Sequence, residues 1–176
     1  MLPGVTCTRL GADRCPGLLK PFVAQDGAII RLRVPGGRVR VSTLADLLAI
    51  GADHGAPLLS VTSRTNLQVR GLPDPLPEDV MVRAEATGLL PSPSHERARN
   101  ILAAPLAPDL QPLVAELDAA LCADPFLADL PGRFLFAVTD ATGAVLTEPV
   151  DAAYQALTPT SGVIRLGGLG MPCARD

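Results

Sequence analysis

Apolar and polar residues alternate along the segment AIIRLRV, residues 28–34. Successive side chains of a strand point to opposite faces, so this alternation predicts a half-buried strand. Its apolar face carries Ala28, Ile30, Leu32 and Val34. Its other face carries Arg31 and Arg33 together with Ile29. The Pro35-Gly36-Gly37 run that follows predicts a turn.

Two further strands are predicted at PLLSVTS, residues 57–63, and at NLQVRG, residues 66–71. The polar face of the latter carries Asn66, Gln68 and Arg70. If these strands share a sheet with the first one, one face of that sheet is packed and the other is polar and cationic.

Leucines at helical spacing predict a helix between the first two strands, with Ser42 as its N-terminal cap. Its apolar stripe consists of Leu44, Leu47 and Leu48. A second helix is predicted to open at Pro77 and to stop at Gly88. The order strand, helix, strand, strand, helix predicts a small α+β unit with both helices on one side of a sheet.

The second half of the chain shows a weaker pattern. A polar connector is predicted at residues 91–100, followed by a third helix that Asp109 caps. The buried stripe of that helix consists of Leu110, Leu113, Val114, Leu117 and Leu121. The segment RFLFAVT, residues 133–139, predicts a strand that returns as a hairpin at residues 144–146. After Glu148 the pattern matches no regular element.

The composition is that of a globular chain of one domain or slightly more, with 176 residues, 48% of them apolar and 19% charged. No apolar stretch approaches the ~20 residues that a membrane helix needs. The N-terminus shows no secretory signal, so we expect a cytoplasmic protein. Aromatic residues make up only 3%, with no tryptophan, which argues against a nucleic-acid surface built on base stacking.

The cysteines and histidines do not form a recognisable metal or catalytic motif. The four cysteines are Cys7, Cys15, Cys122 and Cys173. Zinc and iron–sulfur sites need closer clusters of ligands, so we expect free thiols and no metal site. Neither His54 nor His95 can be combined with a nucleophile into a triad, and the catalytic residues stay unassigned.

The polar face of the predicted sheet combines Arg31 and Arg33 of the first strand with Gln68 and Arg70 of the third. Guanidinium groups are costly to bury without partners, so this face is expected to be either solvated or covered by an anionic ligand. The planar fork of arginine binds carboxylates in a bidentate manner. A small molecule with several carboxylates or phosphates would therefore suit it.

Four segments resemble, in this order, the successive signatures of sirohaem-dependent nitrite and sulfite reductases. They are IIRLRVPGGRV (29–39), SVTSRTNLQVRGL (60–72), HERARNILAAPLA (95–107) and LPGRFLFAV (130–138). Within that superfamily, DRCPG at 13–17 and LDAALCADP at 117–125 look most like precorrin-3B synthase of aerobic cobalamin biosynthesis. This resemblance implies an oxidoreductase that hydroxylates precorrin-3A with oxygen and a reductant. The alternatives are a fragment of an assimilatory nitrite or sulfite reductase and a non-enzymatic tetrapyrrole-binding half-domain.

The resemblance also implies a domain organisation. An irregular lead-in at residues 1–19 precedes a ferredoxin-like half-domain of the nitrite/sulfite reductase type at residues 20–90. The start of a second α/β domain, of the sirohaem and iron–sulfur type, follows at residues 91–147. Residues 148–176 form an atypical tail of the kind that an early stop or a frameshift would produce.

The ligand that the resemblance implies is a carboxylate-rich tetrapyrrole, bound on the cationic face that includes Arg33. By the family pattern, the residues that contact the macrocycle or a bound anion are Arg31, Arg64 and Arg99. The residues that line the same site are Thr62, Gln68, Arg70 and Asn100. Arg133 matches the basic position of the family's Leu-Pro-basic-Phe strand.

The chain departs from the family pattern at three points. Leu135 stands where the reductases carry a second basic residue, which weakens the reductase alternative. Arg70 stands where the reductases usually have a histidine. The family holds a four-iron–four-sulfur cluster, beside sirohaem in the reductases, with two cysteine pairs that this chain lacks. We therefore expect the tetrapyrrole and a second chain or a missing C-terminal half as partners, but neither nucleic acid nor a membrane.

Overall fold

The computed structural model of the chain describes residues 15–167 and 169–174. Within that part of the chain, nine strands form two sheets and three α-helices pack against them. The strands are β1 (Phe22–Ala24), β2 (Gly27–Leu32), β3 (Leu59–Val61), β4 (Leu67–Leu72), β5 (Ile101–Ala103), β6 (Phe136–Thr139), β7 (Ala152–Thr158), β8 (Ser161–Leu166) and β9 (Leu169–Ala174). The helices are α1 (Val41–Asp53), α2 (Glu78–Ala86) and α3 (Gln111–Ala123). Most of the expected lead-in, residues 1–14, lies outside the described residues.

The first sheet has the strand order β1-β2-β4-β3, and every neighbouring pair is antiparallel. Its helix-facing side is apolar. Ile30 and Leu32 of β2 and Val69 of β4 share one core with Leu47 of α1 and Val80 of α2. Burial of such side chains drives this packing, because apolar area removed from water contributes ~25 cal/mol per Å². The predicted α+β unit with both helices on one side of the sheet is confirmed.

The start of α1 differs from the sequence prediction, whereas α2 agrees with it. The N-cap position of α1 is Arg40, so Ser42 lies inside the first turn and no side chain caps the helix. A serine caps a helix only from the non-helical position before the first turn. Pro77 occupies the N-cap position of α2. Gly88 follows that helix with φ +74°, a left-handed conformation that glycine adopts without strain.

The second sheet has the strand order β5-β6-β7-β8-β9. Its first three strands are parallel, and β8 and β9 join them antiparallel. Helix α3 covers one face, where Val114 and Leu121 pack with Ile101 and Val138. The other face holds a smaller core around Leu135. The predicted apolar stripe of the third helix is confirmed.

Three predictions for the second half of the chain are wrong. Asp109 does not cap α3 but lies in a 3-10 turn, Pro108–Leu110, that leads into the helix. Residues 144–146 do not return as a hairpin. Because β6 and β7 are parallel, the chain has to cross from one end of the sheet to the other, and part of that crossing is a 3-10 turn at Ala144–Thr147. The residues after Glu148 form β7, β8 and β9 rather than an irregular tail.

The two sheets meet at the Pro35–Gly37 turn, which packs against β5 and α3. Gly36 is buried in that contact with φ +68°, and a Cβ at this position would lie 2.9 Å from Val114 Cγ1. Only a residue without a Cβ fits both the backbone conformation and the close approach. Asn66 Nδ2 donates to Asn100 Oδ1 at 3.0 Å across the same junction. We call this junction, formed by the turn and the two asparagines, the seam.

Candidate anion-binding site

A polar pocket of about 400 Å³ opens between the two sheet units. It is lined by Cys15, Pro16, Arg31, Thr62, Ser63, Arg64 and Arg133. Three of these lining residues are arginines and none is acidic. We call this cavity the arginine pocket. Several cations around one cleft, without a carboxylate among the lining side chains, produce a positive potential that attracts anions.

Arg31 enters the arginine pocket from β2, where it lies directly opposite Gln68 of β4. With the Gln68 amide turned so that its oxygen faces the guanidinium, that oxygen accepts from Arg31 Nε at 2.9 Å and from Arg31 Nη2 at 2.7 Å. These hydrogen bonds fix the plane of the guanidinium and add no negative charge. The prediction that both side chains share the polar face of the sheet is confirmed.

Thr62 and Arg64 reach the arginine pocket from the tight turn between β3 and β4. Thr65 N donates to the carbonyl of Thr62 at 2.9 Å, and Asn66 N donates to Thr62 Oγ1 at 3.1 Å, so the turn is closed on itself. Arg64 Nη1 donates to the carbonyl of Arg133 at 2.7 Å. The turn of the first unit is thereby tied to the loop before β6 in the second unit, and both units build the pocket.

Within residues 15–167 and 169–174, no carboxylate neutralises Arg64 or Arg133. Neither takes part in any of the ion pairs formed among the residues that the structure describes. Arg133 is exposed, and Arg64 is half-buried. Their charges are therefore available to a bound anion, and arginine is the residue whose donors match a carboxylate best.

Arg33 lies inside the protein rather than on the cationic face. Strand β2 ends at Leu32, so the alternation of faces does not continue to position 33. Arg33 is 2% exposed, and its Nη1 donates to the carbonyl of Pro16 at 3.3 Å. The expectation of an outward-facing Arg33 is wrong. The side chain lies behind the Cys15–Pro16 segment, which itself lines the arginine pocket.

Arg70 lies on the open face of the first sheet but does not line the arginine pocket. Its guanidinium forms an exposed ion pair with Asp26, the shortest distance being 3.2 Å from Nη2 to Oδ2. An exposed pair of this kind is worth ~0–1 kcal/mol, so Asp26 does not hold Arg70 strongly. The structure leaves Arg70 on the same sheet as Arg31, next to a carboxylate that partly offsets its charge.

Arg99 is enclosed in the second unit, although the sequence placed it in a polar connector. It is 3% exposed, and it pairs with Asp118 of α3 through Nε at 2.7 Å and Nη2 at 2.6 Å. Its Nη1 donates to the carbonyl of Leu89 at 2.9 Å. Three of its donors are thus used within the protein, and the structure does not bring Arg99 to the arginine pocket.

The predicted connector at residues 91–100 is in fact rich in buried polar groups. Asn100 is 1% exposed and does not line the arginine pocket. His95 Nε2 contacts the carbonyl of Asp124 at 3.0 Å. Glu96 accepts hydrogen bonds from the main-chain nitrogens of the segment that follows Pro16, including that of Leu19 at 2.9 Å. A polar sequence is therefore interior here because its groups are paired.

The sequence did not identify Cys15, Pro16 and Ser63 as members of the site. Ser63 could have been found, since it lies between Thr62 and Arg64 in a turn that the family resemblance already marks. The Cys15–Pro16 segment belongs to no periodic element, so nothing in its pattern indicates where it packs.

Two side chains outside the arginine pocket have shifted pKa values. The hydrogen bond from His54 Nε2 to Oδ2 of Asp79, 2.9 Å long, lowers the pKa of the Asp79 carboxyl. Burial raises the pKa of the Cys122 thiol. A raised pKa reduces the thiolate fraction at neutral pH, which does not favour Cys122 as a nucleophile.

A second cavity, of about 340 Å³, lies between α3 and strands β6 to β8. Its lining includes Leu113, Leu117, Phe136, Tyr154 and Ile164, and the described residues around it are all uncharged. Among the residues searched, which are those that the structure describes, no three His, Cys, Asp or Glu side chains are grouped so as to hold a metal ion. None of the described helices has the length and apolar character needed to cross a bilayer.

The chain has an α+β fold, and Arg31, Arg64 and Arg133 from its two units line one cavity. Residues 23–86 match the family model described as the nitrite/sulfite reductase ferredoxin-like half domain, and they fall inside the half-domain expected at 20–90. The structure of the Mycobacterium tuberculosis NirA protein is similar, with a TM-score of 0.64 and 20% sequence identity. That similarity covers 86% of this chain and 31% of the NirA chain.

No curated protein matches the chain. The family-model match is limited to residues 23–86, and the similarity to NirA, at 20% identity, concerns the fold; both agree with a ferredoxin-like half-domain fold for the first unit. Arg31 and Arg64 lie within the residues matched by the family model, whereas Arg133 lies beyond them. The chain spans less than a third of the NirA length.

Proposed function

We propose that the arginine pocket binds the carboxylate edge of a tetrapyrrole, in an oxidoreductase that resembles precorrin-3B synthase. The observation that carries this proposal is the convergence of Arg31, Arg64 and Arg133 on one cavity, where no acidic residue is found among the described lining residues. Guanidinium groups that line one cavity repel one another, and a ligand with several carboxylates would relieve that repulsion.

The size of the arginine pocket supports recognition of a ligand edge. Its volume of about 400 Å³ lies near the lower end of the ~300–1,000 Å³ typical of ligand pockets. A ring with carboxylates around its rim would insert one or two of them between the arginines and extend its apolar centre outward. Thr62 and Ser63 would add neutral hydrogen bonds beside those charged contacts.

The redox chemistry of such an oxidoreductase would need groups beyond the described residues. The family's four-iron–four-sulfur cluster does not fit here, because the described side chains contain no group of ligands for it. We therefore assign the described residues a binding and orienting role and derive no electron-transfer step. A second chain or a further domain would supply that chemistry.

The reductase alternative would place a nitrite- or sulfite-sized anion in the same pocket. Leu135, at the position where the reductases carry a second basic residue, is fully buried and packs in the core with Ala137 and Val145. The segment before β6 thus contributes one basic side chain, Arg133, to the pocket. This arrangement favours a polycarboxylate over a small anion that needs cations on every side.

The proposal is tested by titrating the protein with a metal-free octacarboxylate porphyrin and following porphyrin fluorescence. Because a hydrogen bond to a charged group is worth ~1.5–3 kcal/mol, Arg64→Ala and Arg133→Ala should each raise Kd about 10- to 150-fold. Arg83→Ala is the matched control, since it removes the same charge from an exposed ion pair on α2. Equal losses in all three variants, or no binding by the unaltered chain, would refute the proposal.

A further inference from the structure

The seam contains a pair of buried asparagines that join the two arginine-bearing loops. Asn66 and Asn100 are each 1% exposed, and Asn66 Nδ2 donates to Asn100 Oδ1 at 3.0 Å. Neither side chain lines the arginine pocket. Buried amides need partners for nearly all their polar atoms, so the bonds they make show what they hold in place.

Asn66 closes the turn that carries Arg64. Its main-chain N donates to Thr62 Oγ1 at 3.1 Å, and its carbonyl accepts from Thr62 N at 2.9 Å. Its side-chain Oδ1 accepts from Val34 N at 3.2 Å, at the end of the first strand. The Asn66 side chain thereby connects the Arg64 turn to the chain that leads out of β2, on which Arg31 lies.

Asn100 holds the loop that carries Arg133. Its Nδ2 donates to the carbonyl of Gly132 at 3.1 Å and to that of Phe134 at 3.2 Å, the two residues that flank Arg133. The same nitrogen donates to the carbonyl of Arg97 at 3.0 Å. One amide nitrogen is thus aimed at three carbonyl oxygens, and two of them belong to the residues on either side of Arg133.

We propose that Asn66 and Asn100 are positioning residues that set the spacing between Arg64 and Arg133 across the seam. This inference rests on the proposed function, because it assigns the pair a role in anion recognition through the arginine pocket. The direct bond from Arg64 Nη1 to the Arg133 carbonyl has the right length only while both loops are held in place. The family resemblance implied that Asn100 lines the site. We infer instead that it acts indirectly, by holding the loop that carries Arg133.

The amide nature of both side chains is essential to this role. In Asn100→Asp, carboxylate oxygens replace the donor that faces the carbonyls of Gly132 and Phe134, and acceptors would then face acceptors. In Asn66→Asp, an oxygen would face Asn100 Oδ1 in the same way. Both changes preserve side-chain size and so keep the packing, but they replace the donor with a negative charge; Asn66→Ser, which adds no charge, is therefore measured beside them.

The test measures the Kd of the octacarboxylate porphyrin for Asn100→Asp, Arg133→Ala and the double variant. We expect Asn100→Asp to raise Kd at least about tenfold, the equivalent of losing one charged contact. In the Arg133→Ala background the same change should cost less than about threefold, because residues that act through one contact are not additive. In the Arg83→Ala background, Asn100→Asp should raise Kd by the same factor as it does in the unaltered chain.

A destabilised variant that leaves the seam intact separates positioning from general loss of stability. Ile50→Val, in the fully buried core beneath the first sheet, should lower the melting temperature and leave Kd unchanged. Asn66→Ser, which shortens the side chain without adding charge, replaces Asn100→Asp if the latter does not fold.

The outcomes distinguish the inference from the proposed function. If the unaltered chain does not bind the porphyrin, the proposed function fails and the inference fails with it. If the chain binds and Arg133→Ala weakens binding, but the asparagine variants bind as the unaltered chain does, only the inference is overturned. Full additivity of Asn100→Asp with Arg133→Ala would also overturn it.

Discussion

At the scale of single residues, arginine serves two purposes in this protein. Arg31, Arg64 and Arg133 carry positive charge into a cavity whose lining, in the part of the chain that the structure describes, includes no acidic residue. Arg99, by contrast, is buried and stabilises the fold. Its guanidinium pairs with Asp118 of α3 and donates to the carbonyl of Leu89, which lies before β5. The two kinds of arginine should therefore respond oppositely to substitution.

Arg99→Ala should destabilise the fold much more than it weakens binding. Removing one member of a buried pair leaves Asp118, whose side chain is 19% exposed, without its cation, and the expected cost is roughly 3 kcal/mol. Chemical denaturation measures this free energy of unfolding. Arg83→Ala, which breaks an exposed pair, should cost less than about 1 kcal/mol. Equal costs would show that the Arg99 pair is not a buried one.

Asp79 provides a prediction about pH. The hydrogen bond from His54 lowers its pKa from the ordinary value of 3.8, so the folded protein releases this proton more readily than the unfolded chain. The contribution to stability is complete above pH 3.8 and is lost as the pH falls through the lowered pKa. In an NMR titration, His54→Ala should move the Asp79 pKa upward. A pKa that does not move would show that the hydrogen bond is not its cause.

At the scale of elements, the predictable parts are those with one buried face. Strand β2 and most of the helix stripes were recognisable because apolar residues recur at the spacing of one face, although β2 ends at Leu32 and Leu48 of the first stripe is 42% exposed. Strand β5 is three residues long and buried on both sides, so it shows no alternation. Strand β9 contains Gly170 and Pro172, which argue against a strand when only the sequence is read.

The site was less predictable than the fold because it depends on contacts between elements. Periodicity indicates which side of β2 carries Arg31, but not that Arg133 approaches from the other unit. The alternation of polar and apolar residues also continues past the end of β2. It therefore predicted a surface position for Arg33, which is buried. Pairing partners such as Asp118 for Arg99 lie far along the chain and leave no local signal.

A substitution at Gly51 tests the close contact between α1 and the loop that follows the helix. Alanine in place of a helical glycine normally stabilises a helix by ~1 kcal/mol. Here a Cβ would collide with the main-chain carbonyl of Ala56, so Gly51→Ala should instead destabilise the protein by about 1–3 kcal/mol. Thermal melting decides the sign. Ala52→Gly, at an exposed position of the same helix, is the control and should cost ~1 kcal/mol.

At the scale of the whole molecule, the seam joins two sheets that the sequence suggested as successive domains. The Pro35–Gly37 turn packs on β5 and α3, and the Asn66–Asn100 hydrogen bond lies beside it. We expect the two units to unfold in one cooperative transition, because residues of each unit are buried against the other. Denaturation curves followed by circular dichroism and by tyrosine fluorescence, which reports on Tyr154 in the second unit, should coincide. Two separate midpoints would show that the units are independent.

The central claim is that one cavity between the two units recognises a polycarboxylate ring. The most direct measurement is a two-dimensional amide NMR titration of the unaltered chain with the metal-free octacarboxylate porphyrin. We predict that the largest shift changes fall on the amides of Arg31, Ser63, Arg64 and Arg133, and that Arg83 is unaffected. Changes centred on Arg70 and the open face of the first sheet, or on the apolar cavity beside α3, would contradict the assignment of the arginine pocket.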